Sequence, residues 1–138
     1  MITVTRYHDI SAGHRVCGHE GKCKFLHGHN YRIHFCCQGP IDAIGRIIDF
    51  GEIKNTLCLW LEENWDHKFL LWDADPLVLK MKILSPESLV VVPFNPTAEN
   101  MAIYLVETVG PALLLGSAVS LVRVVVEETR KCQACYTR

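Results

Sequence analysis

Two stretches with helical apolar spacing lie together in the middle of this chain, with strand-like stretches before and after them. Ile2 to Ser11 is rich in β-branched residues and reads as a strand. From Tyr31 to Phe35, apolar Tyr31, Ile33 and Phe35 alternate with Arg32 and His34, which is the period of a half-buried strand. Asp49 and Glu52 stand three apart ahead of Ile53, Leu57 and Leu61, so a capping box is expected to open an amphipathic helix over about 50–64. Asn95-Pro96-Thr97 opens a second helix, with Pro in the first turn and a capping side chain on either side of it. Ala98, Met101, Ala102, Leu105, Val106 and Val109 give that helix one apolar stripe. Ser117 to Glu127 is the strongest strand, and Tyr136 lies on a final partner for it. The segment 73–88, with Pro76 and Pro86, reads as irregular, and 89–92 as a short extended stretch. The order strand-strand-helix-helix-strand-strand predicts an α+β domain whose antiparallel sheet is covered by helices on one face. The other face is expected to be covered by tertiary or subunit packing.

At 138 residues the chain has room for one domain, 1–138, with its own core. Hydrophobic residues at 49% and charged ones at 21% exclude a disordered chain. Fourteen basic and fifteen acidic residues nearly cancel, so nothing in the global charge favours a nucleic acid or an anionic membrane as partner. No apolar run approaches a membrane span, and the first residues lack a secretory pattern, so a cytoplasmic domain is expected. Seven cysteines, an odd number, read as reduced thiols rather than a disulfide framework. A single Cys132-x2-Cys135 lacks the second pair that a structural zinc needs, so no metal is expected there.

The chemistry gathers around His27-Gly28-His29. Residues i and i+2 of a strand share a face, and Gly28 lets a neighbouring backbone come close. His14, at the end of the first strand, supplies a third imidazole if the two strands pair. Three neutral imidazoles with an open fourth position hold a catalytic zinc; the plainer alternative is that two of them cap strands. His8, His19 and His34 read as surface or packing residues. Cys23 lies four residues before His27 between Lys22 and Lys24, cations that favour a thiolate. It is either a nucleophile or base, a fourth zinc ligand, or an ordinary thiol. Asp66-His67 suits proton transfer with the carboxylate orienting the ring, or is simply a helix-end cap. Glu128 closes the apolar face of Val122, Val124 and Val126; it forms a salt bridge or reads the polar edge of a ligand.

Taken in order, Cys23-Lys24-Phe25-Leu26-His27-Gly28-His29-Asn30-Tyr31, Ile48-Asp49-Phe50, Asp66-His67, Asn95 to Asn100 and Glu128-Thr129 resemble the 6-pyruvoyl-tetrahydropterin and 6-carboxytetrahydropterin synthase family, from His14 to Tyr136. The resemblance implies the tunnelling fold: a four-stranded antiparallel sheet with two helices on one face, ββααββ, closing into barrels as trimers that stack into a homo-hexamer. It also implies Zn2+ on His14, His27 and His29, and Cys23 as general base. His67 beside Asp66 would be the relay, Glu128 would hold the pterin and join the relay, and Thr97 would be a further substrate contact. The segment 77–92 and the Cys132/Cys135 pair stand outside the family pattern.

The Cys-x3-His-Gly-His spacing resembles the bacterial carboxytetrahydropterin branch, whereas the animal pyruvoyl enzymes carry a longer gap. The implied reaction takes 7,8-dihydroneopterin triphosphate to 6-carboxytetrahydropterin with release of acetaldehyde and triphosphate, in the context of queuosine-type tRNA modification. The alternatives are the pyruvoyl activity, or a zinc- and pterin-binding module without turnover. From charge alone, Arg15, Lys22 and Lys24 are candidates to meet the triphosphate, or are solvated loop charges.

Overall fold

The computed structural model describes residues 1–138. Strand β1 (Val4–His14) and strand β2 (His27–Gln38) form a long antiparallel hairpin, in register from Val4 opposite Cys37 to His14 opposite His27. The register brings His14 and His27 face to face at the loop end of the hairpin. Strand β5 (Ser120–Glu127) pairs antiparallel with β2, with a bulge at Cys36/Cys37, and β6 (Gln133–Thr137) pairs antiparallel with β5. These four strands are the antiparallel sheet expected from the sequence.

The sheet nonetheless has six strands: with β3 (Phe69–Trp72) and β4 (Leu89–Val92) added, the order is β4-β3-β1-β2-β5-β6. Strand β3 runs parallel to the end of β1, with Gly13 opposite Phe69 and His14 opposite Leu70. Strand β4 runs parallel to β3. The expectation of four strands is therefore corrected: the sheet is mixed. The missing signal is length, because four-residue apolar runs carry no period. Gly13 makes the junction possible, since a Cβ there would collide with the Phe69 ring. Gly28 opposes Gly13, and a Cβ on it would sit 3.2 Å from the Ala12 carbonyl oxygen.

Helix α1 spans 50–64 as α-helical Phe50–Ile53, a π turn Lys54–Cys58 and α-helical Leu59–Asn64. The Asp49 carboxylate caps it by accepting from Gly51 N at 2.7 Å, so the cap forms at Gly51 rather than through Glu52. Helix α2 (Leu77–Leu84) lies where irregular chain was expected. Pro76 and Pro86 bracket it, and only Val78 and Met81 on it are buried, so it shows no apolar stripe. Helix α3 spans 98–113 as Ala98–Tyr104, a second π turn Leu105–Val109, and Gly110–Leu113. Pro96 precedes its cap Thr97 rather than lying in its first turn.

The core lies between one sheet face and helices α1 and α3. Ile10, Tyr31, Ile33, Phe35, Val124 and Val126 meet Ile53, Leu57 and Leu61 of α1 and Met101, Leu105 and Val109 of α3. The residues of the expected α3 stripe are all buried. The opposite sheet face is polar and largely self-paired: Arg32 forks onto Asp9 at 2.8 and 3.0 Å and lies 4.1 Å over the Tyr7 ring, while His34 pairs with Glu127.

Candidate metal centre and proton-transfer residues

The core face of β1 and β2 ends in three imidazoles. His14 is buried, and its Nδ1 donates to the Pro96 carbonyl at 2.6 Å. His27 Nδ1 donates to the Phe25 carbonyl at 2.7 Å. Each donation fixes the tautomer and leaves Nε2 as a bare lone pair. Those two Nε2 atoms lie 3.1 Å apart, and two lone pairs at that distance repel unless a proton or a cation lies between them. Ligand atoms held tetrahedrally at zinc distances stand about 3.3 Å from one another. His29 Nε2 is buried and has no hydrogen-bond partner; Glu128 Oε1 is 3.1 Å away, off the line such a bond needs. The ligand-type atoms of His14, His27, His29 and Glu128 all lie within 4.8 Å of one another. Burial holds the His14 imidazole below its ordinary pKa, against the opposing pull of the Pro96 carbonyl and of Glu128. Burial does the same to His29, again against Glu128. Both rings are thereby kept neutral, the form that binds metal. The donor set and its orphaned nitrogen fit a zinc-type cation.

Glu128 is the fourth ligand-type group of this cluster, not Cys23. It stands just past β5 in a tight turn, where the Cys132 carbonyl accepts from Glu128 N at 3.1 Å and Thr129 N at 3.3 Å. The Thr129 hydroxyl accepts from Lys131 N and Cys132 N. Sequence reasoning placed Glu128 on this face but gave no sign that it would meet His29. Tyr31 was missed as part of the centre: its ring meets those of His14 and His29 edge-on, and its buried hydroxyl has no partner.

Cys23 sits in a short turn, Lys22–Lys24, in the β1–β2 loop, with a partly exposed side chain. Lys22 and Lys24 are exposed, but Arg15 is committed elsewhere: its guanidinium forks onto the buried Asp75, with Nε 2.6 Å from Oδ2. Arg15 is thus not a free loop charge: its guanidinium ties the start of the β1–β2 loop to the segment before α2. Thr97 caps α3 by accepting from Asn100 N at 3.2 Å. Cys132 and Cys135 are both exposed.

Asp66 and His67 follow α1 alongside the end of β1. Asp66 Oδ1 accepts from Ser11 N at 2.9 Å, and Oδ2 lies 2.8 Å from His67 Nδ1. Burial alone would raise the Asp66 pKa, but the Ser11 N–H and the His67 ring outweigh it and hold the carboxyl low. His67 is in the left-handed region at φ 60°, with its side chain 80% exposed. Strained backbone of this kind persists where surrounding contacts enforce it, and here His67 N donates to Ser11 O at 2.6 Å. The ring lines a groove of about 530 Å³ with Ser11, Asn30, Arg32 and Glu127, on the sheet face opposite the three histidines. One chain therefore brings together His14, His27, His29 and Glu128, and separately Asp66 with His67. It does not place His67 in the histidine cluster.

A family model described as 6-pyruvoyl tetrahydropterin synthase matches residues 3–138. A 6-carboxy-5,6,7,8-tetrahydropterin synthase of Rickettsia typhi is 37% identical over 134 residues, covering 96% of this chain and 97% of that protein. A probable 6-carboxy-5,6,7,8-tetrahydropterin synthase of Halobacterium salinarum is 40% identical over 121 residues, covering 87% and 76%. Among solved structures, the 6-pyruvoyl tetrahydropterin synthase of Caenorhabditis elegans superposes with a TM-score of 0.72 at 25% identity, covering 99% of this chain and 95% of that one.

Proposed function

The chain belongs to the 6-pyruvoyl tetrahydropterin synthase family, and from that premise we propose that it is a 6-carboxy-5,6,7,8-tetrahydropterin synthase, a lyase. Its substrate is 7,8-dihydroneopterin triphosphate, which with one water gives 6-carboxytetrahydropterin, acetaldehyde and triphosphate. The observation that carries the reading is the cluster of imidazole nitrogens with facing lone pairs, set where two paired strands end. His14, His27 and His29 would hold zinc, with Glu128 beside it. Bound there, zinc supplies Lewis-acid stabilisation of the negative charge that develops on substrate side-chain oxygens.

The remaining work falls to this chain's own groups. Cys23, as thiolate, takes a proton from the substrate side chain, and His67 carries protons to and from the reacting carbons while Asp66 orients its ring. With Nδ1 engaged by Asp66, His67 Nε2 is left free to exchange the proton. Glu128 accepts from the polar edge of the pterin, and Thr97 is a lesser contact. Electrons released by deprotonation move into the ring, so no nicotinamide is needed. Because the histidine cluster and His67 lie on opposite sheet faces, the complete site draws Asp66 and His67 from a second copy, in a homo-hexamer of two stacked trimers. The protein works in the cytoplasm, supplying queuosine-type tRNA modification; no helix is long and apolar enough to cross a membrane.

Incubating the zinc-loaded protein with dihydroneopterin triphosphate and identifying products by mass tests the proposal. Acetaldehyde with 6-carboxytetrahydropterin is the expected outcome. A pyruvoyl product would move the chain to the other branch of the family, and bound but unconverted substrate would make it a binding module.

A further inference from the structure

The Asn95 side chain pins the loop that carries Cys23 from outside. Asn95 Oδ1 accepts from Cys17 N at 3.1 Å, and Asn95 Nδ2 donates to Cys17 O at 2.9 Å. A primary amide carries N–H donors and a carbonyl acceptor on one carbon, so it pairs with both backbone groups of Cys17 as a neighbouring strand residue would. Next to Cys17, Val16 N donates to Cys23 O at 2.8 Å and closes the loop on itself. The Asn95 backbone is itself anchored: its carbonyl accepts from Thr97 N at 2.8 Å and from Asn100 Nδ2 at 3.0 Å, at the start of α3. The following residue, Pro96, holds His14. A single turn thus references the Cys23 loop and a metal-cluster histidine to the same helix end.

From this geometry we propose that Asn95 is a positioning residue for Cys23, setting where its sulfur stands relative to the histidine cluster. It touches no reacting atom. The histidine backbones sit in paired strands, and the bond that orients the His14 ring comes from the Pro96 carbonyl, not from the Asn95 amide. Removing the amide frees Cys17 at the base of the loop closure and lets the Cys23 turn drift, while the cluster keeps its shape. A displacement of about 1 Å at a reacting group is enough to lower the rate by about 10²-fold. The proposal rests on Cys23 acting as the base, and its test separates the two.

Asn95→Ala, Asn95→Asp and Cys23→Ala are compared with the parent for zinc per chain, for kcat and KM, and for alkylation by iodoacetamide mapped to each cysteine. In Asn95→Ala, kcat is expected to fall by about 10-fold or more with KM within about two-fold. The Cys23 alkylation rate is expected to change several-fold while Cys132 and Cys135 hold theirs, and zinc is expected to stay. Asn95→Asp keeps the acceptor for Cys17 N and loses the donor to Cys17 O, so it should fall between; it decides the matter if the alanine variant does not fold. Unchanged Cys23 alkylation overturns the proposal, and so does loss of zinc from Asn95→Ala. Wild-type turnover in Cys23→Ala overturns the base assignment alone, and the alkylation pattern still decides what Asn95 does.

Discussion

His14 is turned toward its cluster by a carbonyl 82 residues further along the chain, and that one bond decides which nitrogen is free. The same logic at His27 uses a carbonyl only two residues away. His29 Nε2 is buried with no hydrogen-bond partner at all, so it is the nitrogen with most to gain from a cation. His29→Ala should lower zinc affinity by about 10²-fold or more, since losing even an outer-shell partner costs about 10–100-fold. Metal analysis after dialysis would show it, and full zinc in that variant would remove His29 from the centre. Cys23→Ala leaves the histidines and Glu128 untouched. It should bind zinc normally and lose about 10²-fold in turnover, the usual scale for a positioned base. Zinc content and acetaldehyde release on one preparation check both halves. If activity falls only as metal is lost, Cys23 is a ligand and not the base.

At the scale of elements, two contacts outside the centre hold the frame that presents it. Asp75 is buried with its carboxylate forked by Arg15, and its Oδ1 also accepts from Leu77 N at 2.8 Å at the start of α2. The Arg15 guanidinium, more than the Leu77 N–H, holds the Asp75 carboxyl below its ordinary pKa, and burial opposes them. A depressed carboxyl stabilises the fold above its unfolded pKa of about 3.9, and that stability is lost as pH falls through the lower folded value. Asp75→Asn keeps an acceptor for Leu77 N and removes the ion pair. It should cost roughly 2 kcal/mol near neutral pH, less than the ~3–5 of a fully buried pair because Arg15 is partly exposed. Denaturant curves at pH 7 and pH 3.5 should show the gap between variant and parent narrowing in acid; a gap independent of pH would refute the assignment. Thr97→Ala removes the α3 cap and should cost about 1 kcal/mol. A rise in KM with unchanged stability would instead mark Thr97 as a substrate contact.

The whole molecule leaves two sheet edges, β4 and β6, and places its two functional groups on opposite faces of one sheet. Open edges are paired or covered in stable proteins, which favours closure with further copies. Light scattering at micromolar concentration should give six times the 15.6 kDa chain mass. A sharper test mixes Cys23→Ala with His67→Ala subunits. If each site takes Cys23 from one copy and His67 from another, random mixing restores about a quarter of the sites. Mixtures as inactive as either parent would mean that both groups act within one chain.

Local patterns in the sequence carried the four antiparallel strands, α1, the α3 stripe and the trio His14, His27 and His29. Each of these depends on period or spacing along the chain: i and i+2 on a strand share a face, and a 3.6-residue stripe needs a surface to bury it. Residues 89–92 read as extended and form β4, but β3, the parallel pairing of both short strands and helix α2 were not legible, because four-residue runs and a helix with two buried residues carry no period. Arg15 read as a free cation until the fold set buried Asp75 against it, sixty positions away. Asn95 read as a helix-opening side chain, yet its amide reaches Cys17 across 78 positions. Sequence determined which residue types share a face. Only the tertiary structure decided which distant group satisfies each polar atom, because hydrogen-bond partners are chosen by position in space and not by position along the chain.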